Sequence, residues 1–236
     1  MYVCDGDLIH EVFSTADHSN LQARVILSPK NEHCLQVNER VLGTLPGEVR
    51  MYISADSVKC DNEEERQNYP TEFLNSLTPS GMQPHRLNLK VNAVVMLLRN
   101  LSLRQGLCNG TRLRVTHLHN NCIQASILTG ASQGNTVLIP RIKLAPSDTN
   151  LPFVLERHQL PLRLAYSMTI NKAQGQTFEK VGIYLPYPVF SHGQLYVAFS
   201  RARSLASVKV KIVETQQQGK RGGRTVTPNV IYREVL

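Results

Sequence analysis

Short strand-like runs separated by turn residues fill the stretch from residue 87 to residue 142, and this restricts the fold more than any other feature of the chain. Residues 87–91 lead into the apolar run 94–98. Asn109-Gly110 then stands between Leu107 and the alternating run 112–115. That arrangement predicts a tight hairpin, because Asn and Gly tolerate the positive φ that a two-residue turn requires. Asn120-Asn121 predicts a second turn before residues 122–128, and residues 130–136, with Gly130 and Gly134, read as a hairpin loop. Residues 137–142 read as an edge strand, since Pro140 cannot donate to a ladder. Strands of this length, so closely spaced, predict a small β-barrel rather than α/β layers.

The flanks have another texture. Residues 24–28 form a short buried strand stopped by Pro29. Residues 31–45 carry Leu35, Val37, Val41 and Leu42 at helical spacing. Residues 51–54 read as a strand, and Asp61, Glu63, Glu64 and Glu65 as a solvated loop or helix start. After Pro161, residues 163–170 read as a strand end, 171–177 as a turn with a short helix, 181–185 as a strand and 191–200 as a helix. Residues 208–213 alternate as a half-buried strand does. Residues 216–223, with Lys220, Arg221 and the nearby Arg224, read as a basic loop, and residues 229–236 as a last short strand. Residues 1–20 are polar and lack periodicity, so they read as the tail of something begun upstream. An α/β domain interrupted by a β-rich insert is the expectation.

The formal net charge of +8 points to a polyanionic partner, which lysines and arginines bind by releasing condensed counterions. Five scattered cysteines without a C-x-x-C pair argue against a disulfide framework and a zinc site, and favour reduced intracellular thiols. His117, His119 and Cys122 read as strand and turn residues. No run approaches the roughly 20 apolar residues of a membrane span.

A nucleotide motor needs a phosphate cradle of the form G-x-x-x-x-G-K-[ST], and the sequence contains no such string. Two other segments suit the opposite wall of a nucleotide cleft. Thr169-Ile170-Asn171-Lys172-Ala173-Gln174-Gly175-Gln176-Thr177 places small, polar and cationic groups on a strand-to-helix turn, whose N–H donors can meet phosphate oxygens. A surface turn capped by Thr177 is the plainer alternative. Tyr196-Val197-Ala198-Phe199-Ser200-Arg201-Ala202-Arg203 ends an apolar helix in two arginines. One can serve as an arginine finger for a γ-phosphate, or both can face the helix dipole.

These two segments resemble motifs V and VI of Pif-family helicases of superfamily 1B, including those carried by Helitron transposons. Residues 24–45 resemble the family's motif IV region, and residues 51–57 and 84–91 its linking segments. Residues 96–101 and 106–112 resemble the start of its inserted 2B domain, and residues 227–236 a natural C-terminal end. Asn92-Ala93-Val94 departs from the glycine and proline usual there, which affects the strand entry into the insert.

The resemblance implies an α/β fold: a RecA-like P-loop NTPase-type domain, 2A, over residues 20–86 and 159–236. An SH3-like β-barrel, 2B, interrupts it over residues 87–158, and residues 1–19 are a remnant of an upstream connection. It further implies that Arg201, rather than Arg203, is the catalytic arginine finger, with Gln174 and Gly175 beside it on the nucleotide. Thr169, Asn171, Lys172 and Thr177 contact single-stranded DNA, with Asn31 and Asn38 as further DNA-side residues. The complete enzyme uses ATP and Mg2+ and moves 5′→3′ on single-stranded DNA, in the nucleus or mitochondrion. It has no membrane partner and no small-molecule substrate other than ATP. Motifs I, Ia, II and III belong to a first RecA-like domain upstream of this chain, so the chain alone is expected to hold neither ATP nor Mg2+ and to be inactive. A non-catalytic single-stranded nucleic-acid-binding remnant of a transposon helicase is the second reading. Aromatic residues are only 6 % of the chain and Trp is absent, so stacking platforms are sparse. Tyr166 and Tyr184 are candidates that read equally as core.

Overall fold

The computed structural model describes residues 2–13, 18–59, 68–79, 81–146 and 151–232. The acidic run at Asp61, Glu63, Glu64 and Glu65 lies outside them, as do the last four residues of the strand expected over 229–236. In chain order the first elements are β1 (Tyr2–Val3), α1 (Leu8–Phe13), β2 (Arg24–Ser28), α2 (Asn31–Thr44), β3 (Arg50–Ile53), β4 (Ala55–Lys59) and α3 (Thr71–Ser76). The strands β5 (Arg86–Leu89), β6 (Val94–Leu97), β7 (Arg112–Leu118), β8 (Cys122–Ile127) and β9 (Thr136–Pro140) follow. Next come β10 (Ile142–Leu144), β11 (Val154–Gln159), β12 (Leu162–Leu164), β13 (Ser167–Thr169) and β14 (Lys180–Leu185). The chain closes with α4 (Gln194–Phe199), β15 (Val208–Ile212), β16 (Gly219–Arg221) and β17 (Arg224–Val226). None of the described helices is long and apolar enough to cross a membrane.

Two compact units result. The first comprises residues Met1–Thr44 and Ala165–Leu236, the second Leu45–Leu164. The first is built on a parallel sheet in the order β1-β15-β14-β2-β13. Its central strands are apolar along their length because both faces are covered. On one face Val25, Leu27, Ile183 and Val210 pack in a single cluster with Ile170, Ala173 and Ala198. On the other lies α1: a Cβ on Gly182 would stand 2.8 Å from Val12 and 2.9 Å from Ile26, so this position holds glycine for close packing. α2 packs on β2 and β13.

The described part of the N-terminal segment contributes a strand and a helix to the sheet unit. β1 pairs with β15 in register Tyr2↔Lys209, and α1 buries Leu8, Ile9, Val12 and Phe13. A six-residue helix is too short to show periodicity in sequence, which is why the segment read as a tail. Residues 163–170, read as a strand end, take part in two short strands. β12 pairs with β6 in the second unit, and β13 pairs with β2 in the first. The run has no turn residue to mark the passage between them.

The second unit is antiparallel. It contains the sheet β12-β6-β7-β8-β9, the sheet β10-β11-β4 and the pair β3-β5. β9, which carries Pro140, is at an edge as expected. The turn at Asn120-Asn121 joins β7 to β8, and Gly130 and Gly134 lie in the loop joining β8 to β9. The tight hairpin expected at Asn109-Gly110 is absent. Leu107 bridges to Ser102, and β7 pairs with β6 across a long connection. Asn109-Gly110 ends that connection, with the Gly110 N–H donating to the Leu97 carbonyl at 2.8 Å.

The units divide at residues 44/45 and 164/165 rather than at the expected 86/87 and 158/159. The reason is pairing: β3 finds its partner in β5, and β4 in β11. A buried ion pair fastens β4 to β11. The Arg157 guanidinium, fully buried, donates from Nε to Asp56 Oδ1 at 2.8 Å and from Nη2 to Oδ2 at 2.6 Å. Its remaining donors reach the carbonyls of Gln83 and Leu74 at 2.9 and 3.2 Å. Ser54 Oγ donates to Asp56 at 2.7 Å and lies 2.8 Å from His85 Nδ1. Removing one member leaves a buried charge without its counterion. Asp56→Ala is expected to lose about 3–5 kcal/mol of stability in urea unfolding followed by circular dichroism. A loss under about 1 kcal/mol would sink this account.

Candidate functional site

The strands of a parallel sheet all end on one edge, and such carboxyl edges are where open α/β sheets bind ligands. Thr169 closes β13 there, half-buried. The tight turn that follows, Ile170–Ala173, buries Ile170 and Ala173. Asn171 is thereby exposed and Lys172 partly so. Gln174 is exposed, and Gly175 sits at φ +76°, where an L side chain would be strained. Gln176 Nε2 closes the turn on the Lys172 carbonyl at 3.2 Å, and Thr177 is exposed beyond it.

Arg201 lies against this turn, just past α4. Its Nη1 donates to the carbonyls of Ala173 and Gln176 at 3.3 and 3.1 Å. Its Nε donates to Val197 O at 3.1 Å and its Nη2 to Ser200 Oγ at 2.9 Å. The Phe178 N–H returns to the Arg201 carbonyl at 2.9 Å. The structure thus brings Arg201, Gln174 and Gly175 together, with the guanidinium stapled to backbone oxygens. Arg203 is exposed.

A buried glutamine links this turn to the next loop. Gln194 Nε2 reaches Asn171 Oδ1 at 3.4 Å, and its Oε1 accepts from the Phe190 N–H at 3.1 Å. Sequence reading passed over it; the signal was a glycine, Gly193 at φ +75°, immediately before a polar residue opening an apolar helix. At the end of β2, Lys30 Nζ stands 5.4 Å from the ring of Tyr187, an exposed aromatic just past β14. His33 lies 6.1 Å from both Tyr184 and Tyr187.

A family model described as the DNA helicase Pif1 2B domain matches residues 72–118. The human ATP-dependent DNA helicase PIF1 is 32 % identical over 213 residues, covering 88 % of this chain and 30 % of the human protein. Over most of its length the chain is thus similar to part of a Pif1-family helicase. It spans about a third of the length of the curated relatives it matches. Two solved structures extend the likeness to the fold. Pif1 helicases coordinating at forked double-stranded DNA match with TM-score 0.61 and 28 % identity, over 89 % of this chain and 43 % of theirs. Bacteroides Pif1 in complex with ADP-AlF3 and single-stranded DNA matches with TM-score 0.60 and 28 % identity, over 89 % of this chain and 45 % of that one.

Two expected site residues of this chain stand apart. Asn31 is exposed at the start of α2, on the carboxyl edge, where a ligand could meet it. Asn38 is not: it is 2 % exposed and its amide is consumed. Oδ1 accepts from the N–H groups of Tyr166 and Ser167 at 3.0 and 2.8 Å, and Nδ2 donates to the Ser167 carbonyl at 2.9 Å. The DNA-side role is corrected to a structural one, because a side chain 2 % exposed and held by three backbone hydrogen bonds is out of a ligand's reach. Of the two aromatics considered for stacking, Tyr166 is fully buried against Phe13, and Tyr184 is half-buried. Asn38→Ala leaves two buried N–H donors without an acceptor. It is expected to lose about 2–4 kcal/mol in urea unfolding while the folded protein keeps whatever affinity it has for oligonucleotides. Unchanged stability with weakened oligonucleotide binding would reverse the correction.

Proposed function

We propose that this chain is the part of a Pif1-type ATP-dependent 5′→3′ DNA helicase that supplies the arginine finger and part of the single-stranded DNA groove. In this reading the parallel-sheet unit is the second RecA-like domain, and the antiparallel unit contains the SH3-like 2B insert. One observation carries the reading most: Arg201 lies on the Gly175 turn at the carboxyl edge of the sheet. The likeness to Bacteroides Pif1 in complex with ADP-AlF3 and single-stranded DNA supports it.

The residues present fit a phosphate better than a metal. Residues 169–178 offer a cation, amides and a glycine turn but contain no carboxylate, so Mg2+ would take its protein ligands from an upstream phosphate-loop domain. Bound ATP supplies the phosphoryl group whose transfer drives the motor. Arg201 would exchange neutral carbonyl acceptors for phosphate oxygens, and a charge-assisted bond is the stronger of the two. That exchange frees Ala173 O and Gln176 O, so the turn bearing Asn171 and Lys172 loosens when the finger engages. Asn171, Lys172, Thr169 and Thr177 meet the DNA strand from that turn, with Asn31 beside them. Gln174 and Gly175 line the nucleotide.

The test joins this chain to the phosphate-loop domain of its own locus and measures ATP hydrolysis with single-stranded DNA. Turnover is expected only in the joined form. Arg201→Ala should reduce it about 10³-fold, with DNA affinity within about twofold of wild type. Turnover by the chain alone that depends on Arg201 would overturn the reading. A joined form that binds DNA but hydrolyses nothing would leave a non-catalytic binding module.

A further inference from the structure

The basic stretch expected as a loop is instead a built hairpin. β16 and β17 pair in register Gly219↔Val226, Lys220↔Thr225 and Arg221↔Arg224. Gly222 and Gly223 turn the chain at φ +54° and +77°, and two central residues at positive φ match the twist of a two-residue hairpin. Gln218, 1 % exposed, anchors it. Its Nε2 donates to the carbonyls of Leu185 and Val213 at 2.7 and 3.1 Å, and its Oε1 accepts from Thr227 Oγ1 at 2.7 Å. Gly219 lets the strand pass Glu214, whose Cγ would lie 2.8 Å from an added Cβ.

The tip is electrostatically unfavourable by itself. Arg221 and Arg224 stand directly opposite each other, and like charges so placed destabilise a strand pair. Lys220 has one acidic neighbour, Asp5 at 3.6 Å, with both groups open to solvent and so weakly coupled. Arg221 reaches the Gln216 carbonyl, and Arg224 makes no ion pair among the described residues. A lone two-stranded hairpin is marginal to begin with, so this charge pairing is not there for stability.

Position supplies the ligand. Leu185 ends β14, and Val213 directly follows β15. The hairpin therefore hangs from the same carboxyl edge as Thr169 of β13 and Asn31 beyond β2. With the order β13-β2-β14-β15, the ends of β13 and β15, from which the Thr169 turn and the hairpin depart, lie about 14 Å apart across three strand spacings. That span is about four stacked nucleotides. From Lys220 to Arg224 the tip offers cations and glycine backbone, without the apolar anchor that protein interfaces bury. Guanidinium groups pair bidentately with phosphate.

We propose that the Lys220–Arg224 hairpin is a second phosphate-backbone contact for nucleic acid, extending the track that begins at the Thr169–Thr177 turn. It rests on the reading that single-stranded DNA lies along this edge. The test uses the full chain and fluorescein-labelled oligo-dT, with anisotropy titrations over a range of KCl concentrations. The triple variant Lys220→Gln/Arg221→Gln/Arg224→Gln should flatten the slope of log K against log salt by about 2, at about 0.7 per phosphate lost. It should also bind about ten- to a hundredfold more weakly at low salt, with an unchanged melting temperature. Lys172→Gln should flatten the slope by about 0.7. If Lys172→Gln weakens binding and the triple variant matches wild type in affinity and slope, the hairpin proposal fails alone. A wild-type chain that binds no oligonucleotide removes both readings. Equal competition for the hairpin-dependent binding by polyglutamate of the same charge would make an acidic protein the partner and overturn the assignment to nucleic acid.

Discussion

The sheet unit depends on one side-chain amide. A parallel sheet interrupted between β2 and β13 must recover its register when the chain returns, and β13 is only three residues long. Three residues cannot fix register by apolar pattern, because a slip by one exchanges the faces. Asn38 fixes it by hydrogen bonds. It meets the N–H groups of Tyr166 and Ser167 and the carbonyl of Ser167 from α2, while Ser167 Oγ bonds across to the Ile26 carbonyl at 2.8 Å. Thr169 at the end of β13 and the turn that follows it inherit their place from that clamp. A polar residue at a buried position thus serves the site from a distance, by holding the strand on which the site is hung.

Much of this was legible because it obeys local rules. Strand β2 stopped by Pro29, helix α2 with Val37 and Val41 on its buried face, and strand β14 all follow from periodicity and breakers. The motif segments are local objects, a strand-turn segment and a helix end, and in the fold Arg201 bonds to the carbonyls of Ala173 and Gln176 on either side of Gln174 and Gly175. What was illegible is non-local. The polarity of Asn38 suggested a ligand contact, although its partners are more than a hundred residues away in sequence. The compact units differ from the limits expected in the sequence because β3 and β4 pair with strands far downstream. The hairpin at residues 219–226 was missed because its strands carry charge and glycine rather than alternating apolar residues.

Arg201 and Arg157 contrast two uses of a guanidinium. Arg157 is sealed from solvent with a carboxylate and two carbonyls, and no exchange of partners is open to it. Arg201 is half-buried, and among the described residues it donates to three carbonyls and a hydroxyl, all uncharged. An incoming anion competes well against neutral acceptors and poorly against a buried carboxylate. The same side chain can therefore order the Gly175 turn in one state and act on a ligand in another.

The interruption of the sheet also dictates an order of assembly. Ser167 and Ile26, neighbours across β2 and β13, are 141 residues apart along the chain. Closing so long a loop in an unfolded chain carries an entropic cost that grows with the logarithm of its length. The interrupting unit is continuous, so its contacts can form without waiting for either terminus, and once folded it shortens the effective loop between the two halves of the sheet. On a ribosome the antiparallel unit emerges whole while α1, β2 and α2 still lack β13, β14 and β15. Until those last strands arrive, β2 exposes unpaired edges, which makes the early sheet half the part of this chain most prone to aggregation during synthesis.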